Sequence, residues 1–196
     1  MVMSIRCTIG VLALQGGFAE HIRMLTQMGV ACREVRQPGD LEGLDGLILP
    51  GGESTTMGKL AISYSLMEPL RRIAREIPVW GTCAGAVLMA RDIENSQPFL
   101  GLMDISLTRN AFGRQADSFE IDLEVPALHS GGIPALFPAV FIRAPRIDRV
   151  GNEVEVLTRL RGGEIVAVRQ HRFLATSFHP ELTNDERFHQ YFLTLI

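Results

Sequence analysis

Gly81-Thr82-Cys83-Ala84-Gly85 is the segment of this 196-residue chain whose residue types and spacing point most directly to chemistry. The strand-like pair Val79-Trp80 precedes it and the helix-like run Ala84 to Arg91 follows. The pentapeptide therefore reads as a G-x-nucleophile-x-G elbow with cysteine in the place of serine. Flanking glycines remove side chains where such a turn is crowded, so the thiol projects from the carboxyl edge of a sheet. The unpaired N–H groups and positive dipole end of a following helix favour a thiolate, and the Ala84 N–H is a natural oxyanion-hole donor. The competing reading is a buried cysteine in an ordinary strand-to-helix turn.

A nucleophilic cysteine needs a base, and the chain has five histidines. His179 lies in Ser177-Phe178-His179-Pro180-Glu181, directly after an apolar strand-like run and so near the edge where the elbow would present Cys83. Pro180 restricts His179 to extended backbone. Glu181, two positions on, could accept the second imidazole N–H and fix the tautomer, giving a Cys-His-Glu triad. Surface placement is the default for His21, His129, His171 and His189. A third piece is Pro50-Gly51-Gly52-Glu53-Ser54-Thr55-Thr56, where successive glycines let backbone N–H groups face a ligand. Without a following G-K-[ST] it is not a phosphate loop; Gly52 could supply an oxyanion donor, and Ser54 or Thr55 could simply cap the next helix. The histidines lack i, i+4 spacing and the cysteines lack a C-x-x-C pair, so no metal site is expected. No G-x-G-x-x-G fingerprint is present.

The elements that must position these residues follow from hydrophobic patterning. Ile5 to Leu14 reads as a strand buried on both faces, and Ala31 to Val35, Gly46 to Leu49 and Val79-Trp80 as further short strands. Phe18, Ile22, Leu25 and Met28 fall at helical spacing before a stop at Gly29, and Met67 to Glu76 and Ala84 to Arg91 read as further helices. This βαβ rhythm predicts a mainly parallel sheet flanked by helices. The second half reads as strands joined by short turns: Leu102 to Thr108, Phe119 to Val125, Val140 to Arg143, Val154 to Arg159, Ile165 to Arg169 and Leu174 to Phe178. Asp185 to Leu195 is helical, and Pro126 to Pro138, rich in Gly and Pro, reads as a surface loop. No linker separates domains, so residues 1–196 read as one. A net charge of -3 with no basic stripe excludes a nucleic-acid footprint. No apolar run is long enough to span a membrane, the first residues do not form a signal peptide, and three scattered cysteines are not a disulfide framework. The expectation is a cytoplasmic protein in which Cys7 and Cys32 are small buried hydrophobes.

Taken together, the Gly-rich loop, the G-x-C-x-G elbow and the late H-P-E resemble class I, triad-type glutamine amidotransferases. Within that class the chain is most similar to the glutaminase subunit of pyridoxal 5′-phosphate synthase, over essentially its whole length. The discriminating strings are Gly51-Gly52-Glu53-Ser54-Thr55-Thr56, Asn110-Ala111-Phe112-Gly113-Arg114-Gln115 and Phe141-Ile142-Arg143-Ala144-Pro145. Leu128 to Pro138 departs from the pattern, being longer and richer in Gly and Pro. The resemblance implies a flavodoxin-like α/β fold, a single domain with a mainly parallel sheet and additional antiparallel strands in the second half. It implies Cys83 as nucleophile, His179 as general base and acid, and Glu181 as its orienter. Gly52, Glu53, Ser54, Arg109, Ile142 and Arg143 would line a glutamine site, with Gly52 and Ala84 as oxyanion donors. The implied product, ammonia, passes to a synthase subunit in a large hetero-oligomer, and this chain itself holds no cofactor. Three alternatives stay open on the residues alone: a glutaminase serving another synthase, a Cys-elbow hydrolase or peptidase, and a silent module that keeps the fold.

Overall fold

The computed structural model describes residues 7–93, 99–109, 111, 118–129 and 136–196. Ile5 and Arg6 of the expected first strand, all of the 110–115 string except Ala111, and residues 130–135 of the expected surface loop lie outside them.

Five consecutive strands form the parallel half of the sheet. They are β1 (Thr8–Leu12), β2 (Ala31–Val35), β3 (Gly46–Leu49), β4 (Val79–Thr82) and a late strand (Phe173–Thr176), in the spatial order β2-β1-β3-β4-late strand. Leu47 and Leu49 of β3 pack into one hydrophobic cluster and Ile48 into the other, which is the alternation expected of a strand covered on both faces. One face is covered by α2 (Ser54–Ser63), α3 (Met67–Ile73) and α4 (Ala84–Met89), through Met57, Ala61, Leu70, Val87 and Leu88. The other is covered by α1 (Phe18–Gln27), through Leu25, and by α5 (Arg187–Leu193), whose Phe188 and Phe192 pack beside Trp80.

The second half is where the antiparallel pairing expected from its short strands occurs. In chain order the remaining strands are β5 (Ala90–Ile93), β6 (Met103–Thr108), β7 (Ser118–Leu123), β8 (Phe137–Ile142), β9 (Arg146–Val150), β10 (Glu155–Arg159) and β11 (Ile165–Gln170), and the late strand is β12. β12 pairs antiparallel with β11, and the sheet continues through β9 and β6 to β5, with β10 also on β11. β7 and β8 form a separate two-stranded ribbon. Its Phe137 and Phe141 pack on Phe188 and Phe178 in the α1/α5 cluster.

Three expectations change. The helix expected to reach Arg91 stops at Met89, and Ala90–Ile93 turns extended to pair in parallel with β6 (Asp92↔Ser106, Ile93↔Leu107). Tertiary strand pairing there overrides the helical propensity of Ala90 and Arg91. The expected loop at 126–138 is structured at both ends: Pro126–Leu128 is a 3-10 turn with Leu128 buried, and Phe137, fully buried, begins β8. β9 was not anticipated, because Arg146, Asp148 and Arg149 hide its few apolar positions.

Candidate active site

β3, β4 and β12 are neighbours, so the segments that leave their carboxyl ends meet at one edge of the sheet. The Gly-rich loop leaves β3, the elbow leaves β4, and His179 follows β12. The elbow is held by the strand beside it: Cys83 N–H donates to Thr176 O at 2.8 Å. Cys83 itself has φ +47°, ψ -105°, a conformation unfavourable for a side chain and found where surrounding structure over-determines the backbone. The flanking glycines are required by close approach. A Cβ on Gly85 would lie 1.8 Å from Leu49 O, and one on Gly81 would lie 2.5 Å from the Gly85 carbonyl carbon.

The His179 ring is fixed from two sides. Its Nδ1 is 2.7 Å from Glu181 Oε1, and its backbone N–H donates to Val140 O at 2.8 Å, tying the 3-10 turn Pro180–Leu182 to β8. Gly51 lies flat against the ring, where a Cβ would meet Cε1 at 2.3 Å. Burial opposes a charge on His179, but hydrogen bonds with Cys83 and Glu181 outweigh it and raise the imidazole to about 10. Burial likewise opposes a charge on Glu181, yet the neighbouring His21 and the His179 hydrogen bond bring its carboxyl below the usual range. The pair therefore favours carboxylate and imidazolium beside the thiol. Cys83 Sγ lies 3.9 Å from Ile142 O, at the end of β8.

The Gly51 carbonyl accepts the Gly17 N–H at 2.9 Å, so the Gly52 N–H, on the opposite edge of the same planar peptide, points the other way. Ala84 opens α4, and its N–H is one of the first-turn donors that a helix leaves unpaired internally. The expectation that Ser54 or Thr55 caps α2 is corrected. Glu53 is the cap: its carboxylate accepts the backbone N–H groups of Thr55 (3.1 Å) and Thr56 (2.8 Å) and the Thr56 hydroxyl (2.7 Å). Arg109 spans the same group, reaching Glu53 Oε1 at 3.0 Å and Thr55 Oγ1 at 2.9 Å. Partial burial raises the Glu53 carboxyl, but the threonine hydrogen bonds prevail and bring it down to about 2. Arg143, next to Ile142, adopts φ +43°.

Cys83, Ala84, His179, Glu181, Gly52, Glu53, Ser54, Arg109, Ile142 and Arg143, all marked in the sequence, line one cavity of about 520 Å³, ample for an amino acid. Gln15 and Glu20, in strings that resemble the family but were given no site role, line it too; both follow the carboxyl end of β1, where ligands of such sheets collect. Gln15 Oε1 accepts the Glu53 N–H at 2.7 Å. Two histidines expected at the surface are fully buried: His21 on α1 and His189 on α5. Phe18 and Leu25 flank His21 at three and four positions, and Phe192 follows His189 by three, so helical spacing places both on apolar faces. His171 is exposed in the β11–β12 turn as expected, and His129 is half-buried. Cys7 is buried and Cys32 half-buried, neither near the cavity lining. Among the described residues, no group of three or more His, Cys, Asp or Glu is placed to hold a metal ion, and no helix is long and apolar enough to cross a membrane.

Comparison with known proteins places this site in context. The chain is 57% identical over 193 residues to the pyridoxal 5′-phosphate synthase subunit PdxT of Herpetosiphon aurantiacus, covering 96% of this chain and 100% of that one. It is 56% identical over 190 residues to the PdxT subunit of Moorella thermoacetica, covering 96% and 98%. A solved crystal structure of a glutamine amidotransferase superposes with a TM-score of 0.89 at 51% identity, over 95% of this chain and 97% of that one. The model of the SNO glutamine amidotransferase family matches residues 11–196, a span that includes the Gly-rich loop, the elbow and the H-P-E segment. With that span matched and relatives more than half identical over nearly their full length, the chain belongs to the SNO glutamine amidotransferase family.

Proposed function

We propose that the chain is the glutaminase subunit of a pyridoxal 5′-phosphate synthase, hydrolysing L-glutamine to L-glutamate and ammonia. Family membership and the two PdxT relatives support the activity and its destination. The observation that carries the chemistry is the 2.7 Å His179–Glu181 pair set beside Cys83 in one cavity with the Gly-rich loop.

In this reading the Cys83 thiolate attacks the side-chain amide carbon of glutamine. The developing oxyanion is met by the N–H groups of Gly52 and Ala84. His179, protonated and held by Glu181, gives its proton to the departing nitrogen, so ammonia leaves and a glutamyl thioester remains. His179, now neutral, takes a proton from water, whose oxygen attacks the thioester; the C–S bond breaks, glutamate leaves, and the Cys83 thiolate beside protonated His179 is restored. Glu53, Ser54, Ile142, Arg109 and Arg143 surround the remainder of the substrate. A guanidinium there supplies the charge-assisted partner that an α-carboxylate requires. Residues 1–196 act as one glutaminase domain in the cytoplasm, where thiols stay reduced. The ammonia passes to the synthase subunit within a hetero-oligomer.

The test is release of glutamate and ammonia from L-glutamine, with and without the pyridoxal 5′-phosphate synthase subunit, for wild type and Cys83→Ala. Turnover by wild type and its loss in Cys83→Ala are expected. Undiminished turnover in the variant would remove Cys83 as nucleophile. Stimulation by an imidazole glycerol phosphate or anthranilate synthase subunit instead would redirect the ammonia.

A further inference from the structure

Behind Glu181, on the side away from the cavity, lies a chain of buried polar groups that the reaction above does not use. His21 Nε2 is 3.4 Å from Glu181 Oε2 and 3.3 Å from Thr82 Oγ1, and His21 Nδ1 is 3.0 Å from His189 Nε2. Both rings are fully buried, and Trp80 packs edge-on against each, with centroids 5.5 Å from His21 and 4.8 Å from His189. Three elements converge here: His21 comes from α1, Thr82 and Trp80 from β4, and His189 from α5.

The hydrogen-bond directions follow from which atoms would otherwise be left facing each other. If His21 carried its proton on Nδ1, its Nε2 lone pair would face the Glu181 Oε2 lone pairs in a buried site. His189 would then have to accept at Nε2 and carry its own proton on Nδ1, an atom buried with no protein partner. A buried donor without an acceptor is costly. The opposite assignment removes both conflicts. His21 carries the proton on Nε2 and donates it to Thr82 Oγ1, with the same N–H edge 3.4 Å from Glu181 Oε2, a buried oxygen that has no hydrogen-bond partner of its own among the described residues. His189 donates Nε2–H to His21 Nδ1 and leaves only a lone pair at Nδ1. Desolvation keeps both rings neutral, lowering His21 and bringing His189 well below its ordinary value.

We propose that His21, set in its Nε2–H tautomer by His189, is a positioning residue that fixes the Glu181 carboxylate from behind, so that Oε1 stays aligned with His179 Nδ1. The carboxylate then has His179 Nδ1 at 2.7 Å from Oε1 and the positive edge of His21 at 3.4 Å from Oε2, and its rotation about the last bond is opposed. The proposal rests on Glu181 as the orienter of His179 and extends the triad inward by two residues.

Its test compares His21→Ala and His21→Gln with wild type in L-glutamine hydrolysis, using the full chain with its synthase subunit. Gln is chosen because its amide N–H reaches the place of Nε2. Loss of the imidazole edge that holds the Glu181 carboxylate in place predicts a kcat lower by about 10- to 100-fold in His21→Ala, with KM within about twofold. His21→Gln should recover to within about threefold of wild type. Wild-type kcat in His21→Ala, an effect on KM alone, or equal loss in both variants overturns the proposal. A second measurement needs no variant: long-range proton–nitrogen correlation spectra of wild type should show both His21 and His189 protonated at Nε2. Protonation of His21 at Nδ1 overturns the proposal even where His21→Ala does not fold. An inactive wild type, or an active Cys83→Ala, instead overturns the glutaminase reading, and the tautomer result is then judged separately.

Discussion

Replacing Gly51 with alanine adds one methyl group, and the structure says where it goes. The new Cβ would lie 2.3 Å from His179 Cε1 and 2.8 Å from Nδ1. Carbon atoms in contact prefer about 3.5 Å or more, so the ring must yield by about 1 Å. It has little freedom to do so while Nδ1 stays 2.7 Å from Glu181 and the backbone N–H stays 2.8 Å from Val140 O. Misplacement of a reacting group by about 1 Å costs on the order of 100-fold in rate. The same overpacking costs about 1–3 kcal/mol of stability, equivalent to roughly 2–12 °C in Tm for a chain of this size. Gly51→Ala is therefore expected to remain folded at 25 °C while kcat for glutamine falls at least about 100-fold. The assay is glutamate release with the synthase subunit, paired with a thermal melt. A folded variant with kcat within about threefold of wild type would refute the argument, because the imidazole would then need no fixed place against Gly51.

Two further outcomes follow from the same geometry. Glu53→Ala removes the α2 cap and is expected to destabilise the fold by about 1 kcal/mol at neutral pH by urea titration, Arg109 adding little because the pair is half-exposed. The Glu53 carboxyl lies at about 2 when folded, below its ordinary 4.5, so its contribution is present above 4.5 and is lost as pH falls toward 2. The gap between variant and wild type should accordingly narrow on acidification, and a constant gap would contradict the capping role. Iodoacetamide near pH 8 should alkylate Cys83 first, as followed by peptide mass spectrometry. Burial raises Cys7 and pushes Cys32 up to about 11, whereas Cys83 lines the cavity beside His179, where the reagent can reach it. Faster modification of Cys32 would contradict this ordering.

What was legible in the sequence depended on whether a residue's signal was local. The elbow was legible because two glycines around a cysteine have a local steric reason, visible as the 1.8 Å and 2.5 Å approaches at Gly85 and Gly81. Pro180 likewise announced the setting of His179. His21 and His189 were missed because each was read alone as a polar residue, although helical spacing set both among phenylalanine and leucine. The β5 turn-out was illegible because Ala90 and Arg91 favour helix, and only β6, ten or more residues away, supplies the competing partner. Glu53 as cap was obscured by the better-known capping residues Ser54 and Thr55 beside it. Arg109 and Arg143 were marked by resemblance alone; no spacing rule connects residue 109 to the β3 loop that it reaches.

The topology separates two tasks. The proposed nucleophile and base follow β4 and β12, adjacent parallel strands near the middle of the sheet, in register at Thr82↔Thr176 and joined again by Cys83 N–H to Thr176 O. Moving Cys83 relative to His179 would mean shearing that pairing, so their alignment is inherited from two largely buried strands. Ile142 and Arg143, by contrast, end the β7–β8 ribbon, which belongs to neither half of the main sheet. Among the described residues, that ribbon reaches the central edge through Val140 O to His179 N–H and Ile142 O to Cys83 Sγ, and packs through apolar side chains that include Phe137 and Phe141. Sequence change on the ribbon can thus alter how a substrate is gripped without disturbing the central strands. The two backbone contacts are the exception, because they couple the ribbon's position directly to the thiol and to the imidazole.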